Sequence, residues 1–299
     1  MGLFSSRSRA GADEPAHFPM HVLLVLATFF SIYPILWVFT IAFSGKQSLA
    51  IADVPPDPTF WDRLRAVIPW PAEVSLSNFT SVLTDQPFAR WVLNSAIVSI
   101  ATTIVGVFLA CTAAYAFSRF RFPGRQAGMM SFLVSQMFPG TLMLIPLYII
   151  LVKWLGLGST HLGLILVYST ISIPFCVWML KGYFDTIPRE LEEAALIDGA
   201  SPATIFFRIV LPLAKPAVAV TALFAFMTGW NEFILAATLM DKETMYTAPL
   251  GLRFFVGGFS QQWGYFSAGA IIVSIPVVAL FLYLQKYLVS GLTAGSVKG

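Results

Sequence analysis

The sequence predicts an all-α integral membrane protein, with six transmembrane helices and one cytoplasmic helix–turn–helix elbow. Three observations predict it. The 299 residues are 57% hydrophobic and 11% charged, against a charged share of about 25% in soluble globular chains. Six almost uncharged runs are each long enough for the roughly 20 residues that a bilayer-spanning helix needs. The longest charged segment, Asp185–Pro212, lies between two of those runs.

Residues 1–19 carry Arg7 and Arg9 but also Asp13, Glu14 and Pro15. No small-residue cleavage site closes the apolar run behind them, which argues against a secretory signal. Val22–Phe43 is the first transmembrane helix. Residues 44–88 are rich in proline and carry Trp61 and Trp70, which suits a folded loop at the membrane edge, too small for a core of its own. Within it, Asn78-Phe79-Thr80 matches a glycosylation sequon, a weak pattern. Further helices are predicted over Val92–Phe117, Met129–Val152 and Leu162–Leu180, then after the elbow over Ala217–Met240 and Phe266–Val289. Pro139, Pro146, Pro174, Gly229 and Pro276 inside these runs mark kinks, which neighbouring helices can satisfy. Arg119, Arg121 and Arg125 crowd the loop after the second helix, whereas Gly156–Thr160 has no basic residue, so the first of these loops is cytoplasmic. Both termini and the elbow then share that side. The chain divides into residues 1–88, a core of 89–288 holding the elbow at 185–214, and a C-terminal tail of 289–299.

The elbow follows from local signals. Pro188 suits a first helical turn, and Glu190, Glu192 and Glu193 lie near that N-terminus, where the helix dipole favours them; Gly199 can end the helix. Ser201-Pro202 supplies an N-cap and an N1 proline for a second helix. Its Ile205, Phe206 and Ile209 share a face, and Pro212 stops it. Small residues at Ala194, Ala195, Gly199 and Ala200 would let a groove wall approach closely, the shape a partner cleft needs. The plainer reading is an amphipathic loop packed on its own bundle.

Other function classes lack support. A net charge of +3 is weak ground for nucleic-acid binding, and the basic residues mostly flank apolar runs. Cys111 and Cys176 sit inside apolar runs, and His17, His21 and His161 have no metal-ligand spacing. No phosphate-binding loop of the GxxxxGK[ST] type occurs, so ATP would have to be bound by another chain. No catalytic constellation presents itself. Asn231-Glu232 interrupts the fifth run, and a carboxylate at membrane depth marks either a pathway or a structural pair, with Gly229 offering a helix break beside it. Asn94 and Gln136 read as interhelical hydrogen-bonders. In the external loop Asp241–Trp263, glycines at Gly251, Gly257 and Gly258 bracket Arg253, Phe254 and Phe255. That loop either probes another protein or forms an aromatic belt at the membrane edge.

Glu193-Ala194-Ala195, three residues, Gly199, nine residues, Ile209, one residue and Leu211-Pro212 together resemble the EAA loop of binding-protein-dependent ABC importer permeases. Trp230–Phe233, Tyr246–Leu252, Gly258–Gly264 and the terminal Gly291–Gly299 resemble the carbohydrate branch of that family, and within it the maltose permeases. The resemblance implies a MetI-like bundle in the bacterial inner membrane that forms half of a heterodimeric pore. Its implied partners are the lipid bilayer, a larger permease subunit, two copies of an ATPase subunit and a periplasmic sugar-binding protein. It implies no cofactor in this chain, ATP and magnesium residing on the ATPase. Glu193, Ala194, Ala195, Gly199, Ile209, Leu211 and Pro212 would dock that ATPase, and Ser296 and Lys298 of the tail would reach it. Gly251, Arg253, Phe254, Phe255, Gly257 and Gly258 would enter the binding protein's cleft, with hinge freedom from the glycines. Transport of maltose or maltodextrin by alternating access is the implied function. Another oligosaccharide or glycerol phosphate is the alternative. An ion-coupled transporter would need several intramembrane ionisable groups, and Glu232 stands alone.

Overall fold

The computed structural model describes residues 17–50, 54–71, 73–258 and 261–296, and every regular element among them is a helix. Helix α1 spans His17–Phe43; two short helices, α2 (Phe60–Val67) and α3 (Ser77–Thr84), lie in the loop that follows. The long α4 runs from Phe88 to Arg119, 32 residues, or about 48 Å at 1.5 Å per residue. It therefore outreaches the ~30 Å hydrocarbon layer and carries Arg119 clear of it. Next come α5 (Arg125–Met137), a 3-10 turn over Gly140–Met143, α6 (Leu144–Tyr148) and a π turn over Ile149–Trp154. After α7 (His161–Phe184) the elbow consists of α8 (Glu190–Ile197), α9 (Pro202–Ile205), a π turn (Phe206–Val210) and α10 (Leu211–Leu213). The chain closes with α11 (Lys215–Asn231), α12 (Ile234–Leu239), α13 (Ala248–Leu252) and α14 (Trp263–Ser296).

Among the described residues, four helices are long and apolar enough to cross a membrane: Pro19–Phe43, Phe88–Arg119, His161–Thr186 and Trp263–Tyr287. Two bent pairs raise the number to six where each pair is one span. The predicted third helix is one of them, and it is not continuous. Between Met137 and Gly140 the axis turns by 97°, because Phe138, ahead of Pro139, is held in an extended conformation (φ −73°, ψ 129°). The predicted fifth helix also breaks, at Glu232-Phe233, between α11 and α12. Gly229 is not the break. A Cβ there would lie 3.3 Å from the Ser99 Cα and 3.4 Å from the Tyr168 ring, so the glycine serves close packing of α11 on α4 and α7. The last helix runs on past Val289 to Ser296.

Packing centres on α4, α7 and α11, with α14 against α1 and α11. Near the elbow the core holds Ala110, Ala114, Leu180, Phe184, Ile205 and Val210, and at the far end it holds Phe88, Trp91, Phe255 and Ala268. Asn78 fastens the top of α1 there. It is 1% exposed, and its amide donates to the carbonyls of Ile41 (3.3 Å) and Ala42 (3.0 Å), which lie in the last turn of α1 where a helix leaves carbonyls without partners. Its own carbonyl accepts from Gln47 Nε2 at 2.7 Å, and Gln47 Oε1 accepts from the Tyr265 amide at 3.2 Å, linking α1 to α14. The sequon at Asn78 is therefore sealed in the folded chain and offers no glycan site. Asn78→Asp keeps the size but loses the donor, and Asn78→Ala loses both groups; each should cost about 1–3 kcal/mol. Thermal denaturation of the purified protein in detergent should show both variants melting below the wild type.

Candidate functional sites at the elbow and the helix break

The elbow begins where α7 ends. Arg189 precedes the first residue of α8 and its carbonyl accepts from the Glu192 and Glu193 amides, while Pro188 stands one residue upstream. Gly199 ends the helix in the left-handed region at φ +83°, which a residue with a Cβ adopts only with strain. Ser201 caps α9, its hydroxyl accepting from the Thr204 amide at 3.2 Å, and Pro202 takes the N1 position. Pro212 does not stop this helix. A π turn precedes it, the Leu211 amide reaching back to Phe206, and the chain bends by 81° only at Ala214.

What fixes the elbow to the bundle is a buried ion pair that local sequence signals did not reveal. Glu192, expected near the helix N-terminus where the dipole favours an acid, is 8% exposed and receives Arg119 Nε at 2.5 Å and the Tyr115 hydroxyl at 3.0 Å. Arg119 is not a loop residue but the last residue of α4. Its remaining nitrogens donate to the Ile187 carbonyl at 3.0 Å and the Ser118 hydroxyl at 3.1 Å. That hydroxyl donates to Asp185 at 2.6 Å, and Asp185 is paired with Lys181. The end of α4, the end of α7 and the start of α8 are thus cross-linked by charge-assisted bonds.

The seven residues expected to meet an ATPase divide between two faces. Glu193, Ala194, Gly199 and Pro212 are exposed. Ala195, Ile209 and Leu211 are half-buried and pack against the elbow-end core, so they seat the elbow. The outward face also carries Ile197, 86% exposed, and Phe207, 54% exposed with its ring edge-on to Phe206. Between α8, α9 and α4 lies a cleft of about 190 Å³, lined by Tyr115, Phe120, Arg189, Glu193, Leu196 and Pro202 among others.

At the helix break Glu232 takes an extended backbone conformation, and its carboxylate turns onto the start of α12. It accepts from the amides of Leu235 (2.8 Å) and Ala236 (3.1 Å) and from the Tyr168 hydroxyl (2.9 Å). The acid therefore supplies acceptors to amides that the new helix leaves without partners. Asn231 beside it is exposed. Gln136 bridges α5 to α7 through the Ile171 carbonyl at 3.1 Å, as an interhelical hydrogen-bonder should. Asn94 does something else. Its amide donates to the carbonyls of Thr244 (3.0 Å) and Tyr246 (2.9 Å), holding the far-end loop onto α4.

The segment Gly251–Gly258 is mostly helical turns, not a hinged loop. Gly251 is buried, and a Cβ on it would fall 2.0 Å from the Trp91 ring; the position needs glycine for close approach, so it lends no hinge. Phe255 is 1% exposed in the core with Phe88 and Trp91, and neither it nor Gly251 is open to a partner. Arg253, Phe254, Gly257 and Gly258 are exposed. They border a cleft of about 360 Å³ together with Tyr246 and Leu250, and Phe254 stacks on Trp91 (5.9 Å) and Tyr246 (5.5 Å). Of the tail positions, Ser296 is the last residue of α14, and Lys298 lies outside the described residues.

Residues 102–294 match the family described as "Binding-protein-dependent transport system inner membrane component". The chain belongs to this family. It is a transport component, and its apolar helices make it a multi-pass membrane protein. Relatives include the galactooligosaccharides transport system permease protein GanQ of Bacillus subtilis, 38% identical over 93% of this chain and 94% of the relative. The maltodextrin transport system permease protein MdxG of the same organism is 34% identical, over 93% and 95%. Among solved structures, a bacterial ABC transporter involved in the import of the acidic polysaccharide alginate aligns with a TM-score of 0.75 and 23% identity, over 96% of this chain and 99% of that one. At that identity the likeness speaks for the fold.

In this membrane component the Arg119–Glu192 pair has side chains only 7% and 10% exposed. Removing one partner strands the other charge, which costs about 3–5 kcal/mol, whereas replacing both by apolar residues is often neutral. Glu192→Ala should therefore lower the yield of folded, membrane-inserted protein. Arg119→Met combined with Glu192→Met should restore it, as size-exclusion profiles in detergent would show.

Proposed function

We propose that the chain is one permease subunit of an ABC importer for an oligosaccharide, pairing with a second permease subunit and with two ATPase copies that carry ATP and magnesium. The observation that carries this is the elbow. It is bolted to α4 and α7 by a buried ion pair, continues through an 81° bend into α11, and turns apolar side chains outward. A partner that seats on Glu193, Ala194, Ile197, Gly199 and Phe207 would move α4, α7 and α11 as it opens and closes, which is the mechanical requirement of alternating access. On this reading the elbow and both termini are cytoplasmic in a bacterial inner membrane, and the tail around Ser296 and Lys298 extends toward the ATPase dimer.

The far end then faces the periplasm, where a sugar-binding protein would dock. Arg253, Phe254, Gly257 and Gly258 are the exposed members of the expected contact segment, and the aromatic stack under Phe254 gives a rigid platform. Oligosaccharide import is supported by relatives whose names specify galactooligosaccharides, maltodextrin, trehalose and diacetylchitobiose. We take maltodextrin as the first ligand to test within that class. Asn231, exposed beside the break, is the residue we assign to the translocation path. Glu232 is committed to α12 and Tyr168, which disfavours an ion-coupled carrier built on it.

Ile197 is exposed, so Ile197→Glu should leave folding unchanged while removing an apolar contact worth about 1.5–3 kcal/mol and introducing a charge. Coupling to the ATPase should fall on the order of tenfold or more. Sugar-stimulated ATP hydrolysis in proteoliposomes measures it, and wild-type stimulation would overturn the docking assignment. Titration of the cognate binding protein with maltodextrin, galactooligosaccharide and trehalose tests the substrate separately.

A further inference from the structure

We propose that α2 is an interfacial helix that lies flat in the headgroup layer of the outer membrane leaflet, with lipid as its partner. Its eight residues, Phe60–Val67, include none that is buried among the described residues. At about 100° per residue, Phe60, Trp61, Leu64, Val67 and the following Ile68 fall within an arc of about 120°, the width of a full apolar face. Phe60 and Trp61 are each 70% exposed. Arg63 and Arg65 flank the arc, and both are exposed. Asp62 is turned back onto Thr59, accepting from its amide at 2.9 Å and its hydroxyl at 2.6 Å, which closes the N-terminus of the helix. What remains outward is an apolar sole with basic edges, the chemistry of a membrane-surface helix.

Position decides between water and lipid. The Tyr33 hydroxyl donates to the Val67 carbonyl at 2.7 Å, tying the C-terminal end of α2 to the side of a transmembrane helix. Tyr33 packs on Trp37 one turn along α1, at 5.8 Å, and the roughly 20 residues from Phe18 to Trp37 are the length of one hydrocarbon crossing. A crossing counted from Phe18 puts Tyr33 and Trp37 at its outer end as an aromatic belt, with α2 held at their level. The residues of α1 beyond Trp37 rise above it, where Thr40, Ile41 and Ala42 are buried against the far-end elements. Trp70, 73% exposed, extends the aromatic patch past α2. Among the described residues, positions 19–39 of α1 include none that is buried, so the tether lies at the periphery of the bundle. The assignment to the outer leaflet rests on the orientation proposed above and does not depend on which substrate is carried.

Leu64 sits at the centre of the apolar arc and Ala66 on the opposite side. Spin labels at Leu64→Cys and at Ala66→Cys, in the assembled transporter otherwise free of cysteine and reconstituted into phosphatidylethanolamine–phosphatidylglycerol nanodiscs, test it by power-saturation electron resonance. The Leu64 label should collide with oxygen in preference to a water-soluble nickel chelate, at a depth of about 5–10 Å below the phosphates. The Ala66 label should show the reverse. Equal access of the nickel chelate to both labels places the helix in water and overturns the proposal. A Leu64 label that is immobile and shielded from both reagents shows that a protein partner covers the face, and overturns it equally.

Discussion

The contact between Glu192 and Arg119 carries the mechanical logic of this molecule. Two charges removed from water cost several kcal/mol each unless other bonds replace the lost hydration. Here they do: Arg119 also binds the Ile187 carbonyl and the Ser118 hydroxyl, and Glu192 also accepts from Tyr115. The requirement that each of these donors be placed correctly ties the end of α4, the end of α7 and the elbow into one body. On the proposed reading, such a rigid elbow would pass a push at α8 to the membrane helices, and the bend at Ala214 would hand the same displacement to α11.

A second constraint acts deeper in the bundle. A backbone amide without a partner is expensive away from water, so a membrane helix can break only where something else supplies the missing bonds. Glu232 meets that requirement at the start of α12, and its second oxygen is engaged by Tyr168 of α7. The break is thereby locked to the neighbouring helix. Asn78 plays the corresponding part at the end of α1, where it offers donors to carbonyls. In both places one polar side chain substitutes for a turn of helix. Both are buried or half-buried, so each also records which elements must meet there.

The far end shows how little of an exposed-looking loop is free. Trp91 reaches the Glu243 carbonyl at 3.0 Å, Asn94 holds Thr244 and Tyr246, and the Ser95 hydroxyl accepts from the Ala248 amide at 2.8 Å. Three residues within about one turn of α4 therefore clamp the segment that leads into α13. Gly251 then lies against the Trp91 ring with no room for a Cβ. The rigidity leaves Arg253, Phe254 and the two terminal glycines as a fixed rim around the adjoining cleft. On the proposed reading, such a rim would lose little conformational freedom when a binding protein docks.

The sequence by itself determined the membrane class, the approximate positions of the helices and the elbow. Long apolar runs leave no soluble alternative, and Gly199, Ser201 and Pro202 act through backbone preferences that hold wherever the segment sits. It also determined the family, since the spacing from Glu193 to Pro212 needs no tertiary context to be read. Only the tertiary structure decided which elbow residues face outward and which seat it, because Ala195 and Ile209 differ from Ala194 and Phe207 in what packs beside them and not in local pattern. The roles of Glu192, Glu232 and Gly251 were equally out of reach. A glutamate near a helix N-terminus looks the same on paper whether it faces water or an arginine many residues earlier. The need for glycine at Gly251 arises from a tryptophan that the fold, and nothing local, brings against it.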